Sequence, residues 1–532
     1  MRTRAVLVVL AVVAVVALAG CTLSAFDGTS TAENDSASAP APAENGTLAD
    51  PEEDVEGWEN GVWYNESLPV NASDGLNESE LALVVNRSMA RVERVRNVEF
   101  DRRVPVSVIS REEYADRQSG SGGGGETAAT REAVRLEALF LVGERTDAQA
   151  EQERTRSASV QGFYSSSEDE ITIVAPTSTP TVDEVTLAHE LVHAYQFRGN
   201  IDVRFPRSPT RDERRALVAL IEGDANLVDR TVRSHCDGAW SCVGHDAGSG
   251  GGDGAGDGGG GSDGGDGDGG GGDEGSVSAP RPNMGLYLLS YFPYAEGERY
   301  VAATKRAGGW EAVNALYADP PSSSEQVIHR TDDAAVDVSV PDRSDGAWTR
   351  LGDDPVVSGE ADLATMFAAT LYDDREGSVV SREAFLTRDD PIPITYGLEP
   401  SAGWAGDGLY AYQRDDGDTG YVWRLRFDDD AEAREFASSY RELLRYHDAD
   451  RPSAGVFVVE DGPYADAFSV SVSGGRVTIV NAPTVDDLGG VHEPAGQRVA
   501  PAGHRAQLAS DAVAMRGNAT GLVTAPPRRG SA

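Results

Sequence analysis

Residues 187–196 read LAHELVHAYQ, which sets His189 and His193 four apart around Glu190. On a helix, residues four apart share a face, so two imidazoles can meet one ion. Zinc accepts neutral imidazole nitrogens, and a carboxylate beside the first ligand can reach a water on the metal. The competing reading is a surface helix with two solvated histidines. A chain with eight histidines meets this spacing by chance roughly once in a hundred sequences. The metal reading demands a third ligand in a suitable place; the solvated one does not.

A third ligand is available in LIEGDANLV, residues 220–228. Glu222 stands there among apolar neighbours, where a bare carboxylate costs free energy unless it is paired or coordinated. Gly223 inside a helix costs about 1 kcal/mol relative to alanine. Both oddities are accounted for if this turn packs tightly on the first helix and aims Glu222 at a metal. Two histidines, a glutamate and a water form a catalytic zinc set with an open fourth position. Asp224 or Asn226 is then expected to hydrogen-bond a ligand. His329, at the end of SSSEQVIH, is a candidate oxyanion stabiliser, weighed against a plain structural cap. Tyr195 lies two residues past His193 and is expected to pack away from the metal face.

These side chains act only if regular elements hold them. Thr181 and Glu184 spell a capping box, which predicts a helix from about residue 182; Thr210 and Glu213 spell another, opening the helix of Glu222. GFYSSSEDEITIVAP reads as a hairpin, with ITIVAP as the edge strand that holds an extended peptide. VPVSVIS (104–110) reads as a strand, and helices are expected from about residue 80, over 130–142 and again from Asn283. A second unit follows, with an amphipathic helix near 361–373, a strand pair in GLYAYQRDDGDTGYVWRLRF, another helix, and a hairpin at Gly474-Gly475. Trp404 and Asp407 in that unit read as turn and core residues. The expected class is α+β throughout.

Composition sets the surroundings. The chain has 532 residues, 88 acidic against 46 basic, for a net charge of −42, and Lys305 is its only lysine. Such acidity excludes nucleic acid as a partner, since phosphates need a basic patch. It is the balance of a protein working at high salt, as in a haloarchaeon. Arg2 and Arg4 precede an apolar run over 5–19 that ends in Leu18-Ala19-Gly20-Cys21. That is signal-peptide anatomy with a lipobox-like end, which makes Cys21 the lipidation site. Cys236 and Cys242, in HCDGAWSC, are expected to form a disulfide in an oxidising compartment. A zinc knuckle needs four ligands, and only His235 and His245 stand nearby.

The expected organisation is a signal peptide over 1–21 and a disordered tether over 22–80. A first folded unit over 81–335 carries a Gly/Asp-rich insert at 246–278, a second unit covers 345–490, and a disordered tail covers 495–532. Sequons at Asn34, Asn45, Asn65, Asn71, Asn77 and Asn86, with one more at Asn518, make the tether a glycosylated stalk.

His-Glu-x-x-His followed by Glu-Gly-Asp-Ala resembles the gluzincin branch of zinc metallopeptidases. Stretches like GGWEAVNALYADPPSSSEQVIH (308–329) and GWAGDGLYAY (403–412) extend the likeness to uncharacterised predicted peptidases over about residues 85–485. The resemblance implies a zincin-like domain, with an active-site helix on a small sheet, followed by an α+β module. It implies Zn2+ held by His189, His193 and Glu222, with Glu190 as general base. This chain departs from the classical second motif at Ile221, where an asparagine is usual. The expected function is peptide-bond hydrolysis by an enzyme lipid-anchored on the outer face of the membrane. The alternative is a catalytically inactive zincin-fold lipoprotein that binds at the cell surface or envelope.

Overall fold

A computed structural model describes residues 49–493, apart from 119–124, 158–161, 176–178, 200, 246–281 and 388–391. Cys21, Asn34, Asn45, Asn518, the Gly/Asp-rich insert and the tail lie outside the described residues.

The class is α+β. A ribbon of β1 (Trp58–Glu59) and β2 (Val62–Trp63) precedes α1 (Glu78–Arg96), whose start is fixed by a capping box between Asn77 and Glu80. Next come β3 (Val106–Ile109), α2 (Arg111–Gln118), α3 (Glu126–Ala138) and α4 (Ala148–Ser157). Strands β4 (Gly162–Ser165) and β5 (Glu170–Val174) form the antiparallel hairpin, and β3 pairs with β5 in parallel. The sheet order is therefore β3-β5-β4. ITIVAP supplies the central strand, and the edge expected there belongs to β4. Helices α5 (Glu184–Phe197), α6 (Arg211–Cys236), α7 (Met284–Ala318) and α8 (Ser324–His329) complete this part. α7 breaks at Gly308-Gly309, where Gly309 takes a φ of +69°, a conformation that favours glycine.

The tether expected to reach residue 80 is too long. Residues from about 57 onward are laid against α1. Arg87 donates to the Glu66 carbonyl, Arg91 to the Tyr64 carbonyl, and buried Glu93 accepts from the Gly57 amide. Charged groups of one helix thus organise a segment too short and irregular to show periodicity, and Val62 and Trp63 are buried in it. Asn65, Asn71 and Asn77 are exposed, though Asn77 also caps α1. Asn86 is buried inside α1, so it is not an accessible glycosylation acceptor.

The second unit contains β6 (Trp348–Arg350), α9 (Glu360–Ala368), α10 (Arg382–Phe385), β7 (Trp404–Arg414), β8 (Thr419–Phe427) and α11 (Asp430–Tyr446). It continues with β9 (Asp450–Ser453), β10 (Val456–Val458), β11 (Ala467–Val472), β12 (Arg476–Ala482) and α12 (Leu488–Val491). Its strands form one antiparallel sheet of order β6-β7-β8-β12-β11-β10-β9. Gly474 and Gly475, with φ of +56° and +63°, make the two-residue turn whose twist suits a hairpin. α9 is not amphipathic: every residue in it is buried. Its polar members are paired internally, Glu360 with His329 and Asp362 with Arg135 and Arg215.

The boundary expected between 335 and 345 does not divide the core. Leu139 and Phe292 from the first part share one hydrophobic cluster with Phe367, Trp404, Trp423 and Phe436 from the second. A separate cluster joins α1, α5 and the three-stranded sheet through Val85, Met89, Ile171, Val185 and Val192. Among the described residues, no helix is long and apolar enough to cross a membrane.

Candidate metal centre

α5 carries the His-Glu-x-x-His stretch, but it starts differently from the expected capping box. Its cap is Asp183, whose side chain accepts from the Val185 amide. Glu184 is fully buried; it is bound by Arg87 and Arg91 from α1 and accepts from the Val243 amide. These long-range partners outcompete a local bond to Thr181. The Val243 backbone sits there because Cys236 and Cys242 are joined in a disulfide that folds the chain back after α6. α6 itself starts with the expected box between Thr210 and Glu213.

The glycine beside Glu222 has a different neighbour from the one expected. A Cβ on Gly223 meets the backbone of Gly297 and Glu298 on α7. The tight approach is therefore between α6 and α7, and α6 presents Glu222 to α5 from that braced position.

His189, His193 and Glu222 converge, each about 98% buried or more. The Nε2 atoms of His189 and His193 are 3.1 Å apart, and Glu222 Oε2 lies 3.2 Å from the first and 3.4 Å from the second. An ion with tetrahedral bonds of about 2.0–2.2 Å sets its ligand atoms about 3.3–3.6 Å apart, close to all three edges. Each imidazole is oriented from behind. His189 Nδ1 is 3.0 Å from an Asp229 oxygen, and His193 Nδ1 is 2.8 Å from Gln196 Oε1. Gln196 uses its amide hydrogens on the Ile221 carbonyl and the Tyr317 hydroxyl, so its oxygen must face His193. With both Nδ1–H groups donating, both Nε2 lone pairs point at one spot beside a carboxylate. Two lone pairs at 3.1 Å repel unless a cation or proton lies between them, and the donor set fits zinc.

Electrostatics agree with that demand for positive charge. Burial pulls His189 down, but Asp229 and Glu222 outweigh it and hold the imidazole well above its ordinary value. Burial likewise opposes charging of His193, and Glu222 reverses it. Burial pushes Glu222 up, yet the two imidazoles hold it down to about 2. Glu190 is raised, mainly by burial, with His193 and His189 opposing. One of its oxygens accepts from the Tyr164 amide on β4 at 2.9 Å. The other is buried without a hydrogen-bond partner among the described residues, in a position to take a proton from a group in the site.

The remaining candidates fall elsewhere. Asp224 touches neither histidine; it pairs with Arg96 and accepts from Tyr317, and three hydrogen bonds, through Tyr317 and Gln196, separate it from His193. Asn226 donates to the Tyr294 carbonyl. His329 is bound to Glu360, which corrects the oxyanion expectation in favour of a structural role. Tyr195 packs edge-on to Phe100, and Asp407 accepts from the Ser358 and Gly359 amides and two indoles as a core residue. The residues that do orient the ligands, Asp229 and Gln196, went unread in the sequence. Asp229 lies two helical turns past Glu222, on the same face of α6, and Gln196 lies one turn past His193. That spacing was the available signal.

Comparison with known proteins adds one partial match. Residues 349–492 match a family model described as a domain of unknown function (DUF8575), which coincides with the seven-stranded sheet and its helices. No curated protein matches the chain, and no solved structure matches it.

Proposed function

We propose that this chain is an extracytoplasmic zinc-dependent peptidase of zincin-like fold, anchored to the membrane through a lipid on Cys21 and working at high salt. The observation that carries the reading is the convergence of two imidazole lone pairs and a carboxylate on one buried point, beside an unpartnered oxygen of Glu190. A zinc ion held by His189, His193 and Glu222 would supply Lewis acidity and make a water acidic near pH 7. Glu190 takes the proton released on attack and delivers it to the leaving amine. The Tyr164 amide fixes the Glu190 carboxyl for both steps, while Asp229 and Gln196 keep the imidazoles aimed. β4, at the sheet edge beside Glu190, offers backbone groups to an extended peptide.

The test is hydrolysis of a quenched-fluorescent peptide library at molar KCl, with zinc content measured in parallel. His189→Ala and Glu222→Ala should lose zinc. Glu190→Gln should keep zinc and lose on the order of a hundredfold or more in rate. If zinc-loaded wild type cleaves nothing, or Glu190→Gln cleaves as fast, the enzyme reading is wrong and a binding lipoprotein is left.

A further inference from the structure

Among the described residues, four arginines, Arg230, Arg299, Arg306 and Arg330, and one acid, Glu298, line a cavity of about 480 Å³ between α6, α7, the end of α8 and Ile392. Acids outnumber bases nearly two to one in this chain, so four guanidinium groups around one hollow are not a sampling of its surface. Arg299, Ala302, Ala303 and Arg306 recur at helical spacing on one face of α7, and the short alanines leave the hollow between the two cations.

The arginines are held to different degrees. Arg230 is paired with Glu298 at 2.7 Å, and Arg299 is tied to Glu296 and to the Ile392 and Ile394 carbonyls. The exposed guanidinium groups of Arg306 and Arg330 have no hydrogen bond or ion pair among the described residues. Burial raises Glu298 to about 8, with Arg230 opposing, and the 2.7 Å contact between the two occupies this acid.

The cavity is lined from α6 and α7, the helices that also carry Glu222 and the neighbours of His189. Arg230 directly follows Asp229, the partner of His189. Glu298 lies one turn beyond Tyr294, whose ring is 6.4 Å from the His189 ring. We propose that this cavity is a subsite for carboxylate groups of an acidic peptide substrate, bound by Arg306 and Arg330, while Arg230 and Arg299, held by Glu298 and Glu296, shape its wall. The assignment deepens the peptidase reading and rests on it for the identity of the ligand as substrate. At molar salt the Debye length is about 3 Å, so long-range attraction is lost. Selectivity must come from direct guanidinium–carboxylate hydrogen bonds, for which the planar fork of arginine is suited.

The experiment uses the full chain carrying Glu190→Gln, zinc-loaded, in molar KCl. Fluorescence anisotropy is read with a labelled peptide containing glutamates, its glutamine counterpart, and each with a free or amidated C-terminus. The glutamate or free-carboxylate peptide should bind on the order of tenfold tighter than its neutral counterpart. Arg306→Gln with Arg330→Asn should abolish that difference and leave binding of the neutral peptide unchanged; asparagine suits the left-handed backbone at Arg330, φ +58°. Arg434→Gln, a charge removed from the exposed face of α11, should change nothing. Equal binding of acidic and neutral peptides, or a preference that survives the double substitution, overturns the proposal. So does inorganic phosphate binding that depends on the two arginines while neither peptide binds, which reassigns the cavity to a free anion. Because binding is read without turnover, an acidic preference in a protein that hydrolyses nothing sinks the peptidase reading but keeps the anion site.

Discussion

Gly223→Ala sets two effects of opposite sign against each other. Alanine is the better helix former by about 1 kcal/mol, and by propensity alone the variant should be more stable. The structure gives the other side. The added Cβ would lie 2.8 Å from the Glu298 amide nitrogen and nearer still to the Gly297 carbonyl, where ordinary contact needs about 3.5–4.0 Å. Both obstacles are backbone of α7, so no side chain can swing aside. Gly297 meets the Ala219 backbone equally closely from the opposite direction, which leaves no slack along the crossing. The helices must separate by on the order of 1 Å, and such overpacking costs about 1–3 kcal/mol, sometimes more. We expect a net loss of roughly 1 kcal/mol, read as a lower urea midpoint at unchanged slope in molar KCl. Zinc affinity should fall as well, since Glu222 adjoins the wedge and ligand distances tolerate only about 0.2 Å. Gly297→Ala should behave alike in stability, and the double variant should lose less than the two single losses together, because one separation relieves both clashes. A Gly223→Ala protein as stable as wild type, with zinc affinity intact, would refute the account of how α6 presents Glu222.

Three further outcomes are expected. Asp229→Asn should weaken zinc about 10–100-fold in chelator competition, with little change in fold by circular dichroism; an unchanged affinity removes Asp229 from the orienting role. Replacing Cys236 and Cys242 by alanine should lower stability by about 2 kcal/mol, for a short loop, measured by urea unfolding against wild type under the same oxidising conditions. His447 is buried and stacked on Phe140 at a ring distance of 4.8 Å, and burial, helped by Arg375, lowers its pKa to about 4. The unfolded chain therefore takes up a proton first as pH falls, so His447 costs stability between about pH 6.5 and 4, by roughly 3 kcal/mol at the lower end. His447→Leu should flatten that part of the stability curve, and an identical slope in both proteins argues against it.

What the sequence made legible was local. The four-residue histidine spacing, the Thr210–Glu213 box, the Gly474-Gly475 hairpin and an awkward glutamate among apolar neighbours each signal through a few adjacent residues, and each sits in the structure where that signal put it. Misreadings came where distant partners decided. Glu184 follows a threonine at cap spacing, but Arg87 and Arg91 claim it from nearly a hundred positions away. Residues 57–66 show no helical or strand-like periodicity; they are held by charged groups of α1, with Val62 and Trp63 buried. α9 shows acids at surface-like spacing, yet those acids are interior ion-pair partners. Asp224 is nearest in sequence to Glu222, while Asp229, two turns on, is nearest to the histidine. Proximity along the chain was the wrong guide there, and helical phase the right one.

Those interior acids also bear on why the second unit accompanies the first. Asp362 from α9 is paired with Arg215, two turns before Glu222 on the same helix, and with Arg135 from α3. Arg215 is so deeply placed that burial lowers its pKa to about 9, and leaving such a charge without its acid costs about 3–5 kcal/mol. Asp212, at the start of α6, accepts from the Ser324 amide of α8 and adjoins Gly359, the residue that opens α9 with a φ of +81°. A side chain on Gly359 would collide with Asp212, so the junction is closed on both sides. The helix that presents Glu222 is thus gripped at its first turns by the matched domain and at its middle by α7. Through α9 and Gly359 the matched domain is part of what positions Glu222, and it belongs to the framework of the candidate centre although none of its described residues is in the His189–His193–Glu222 cluster.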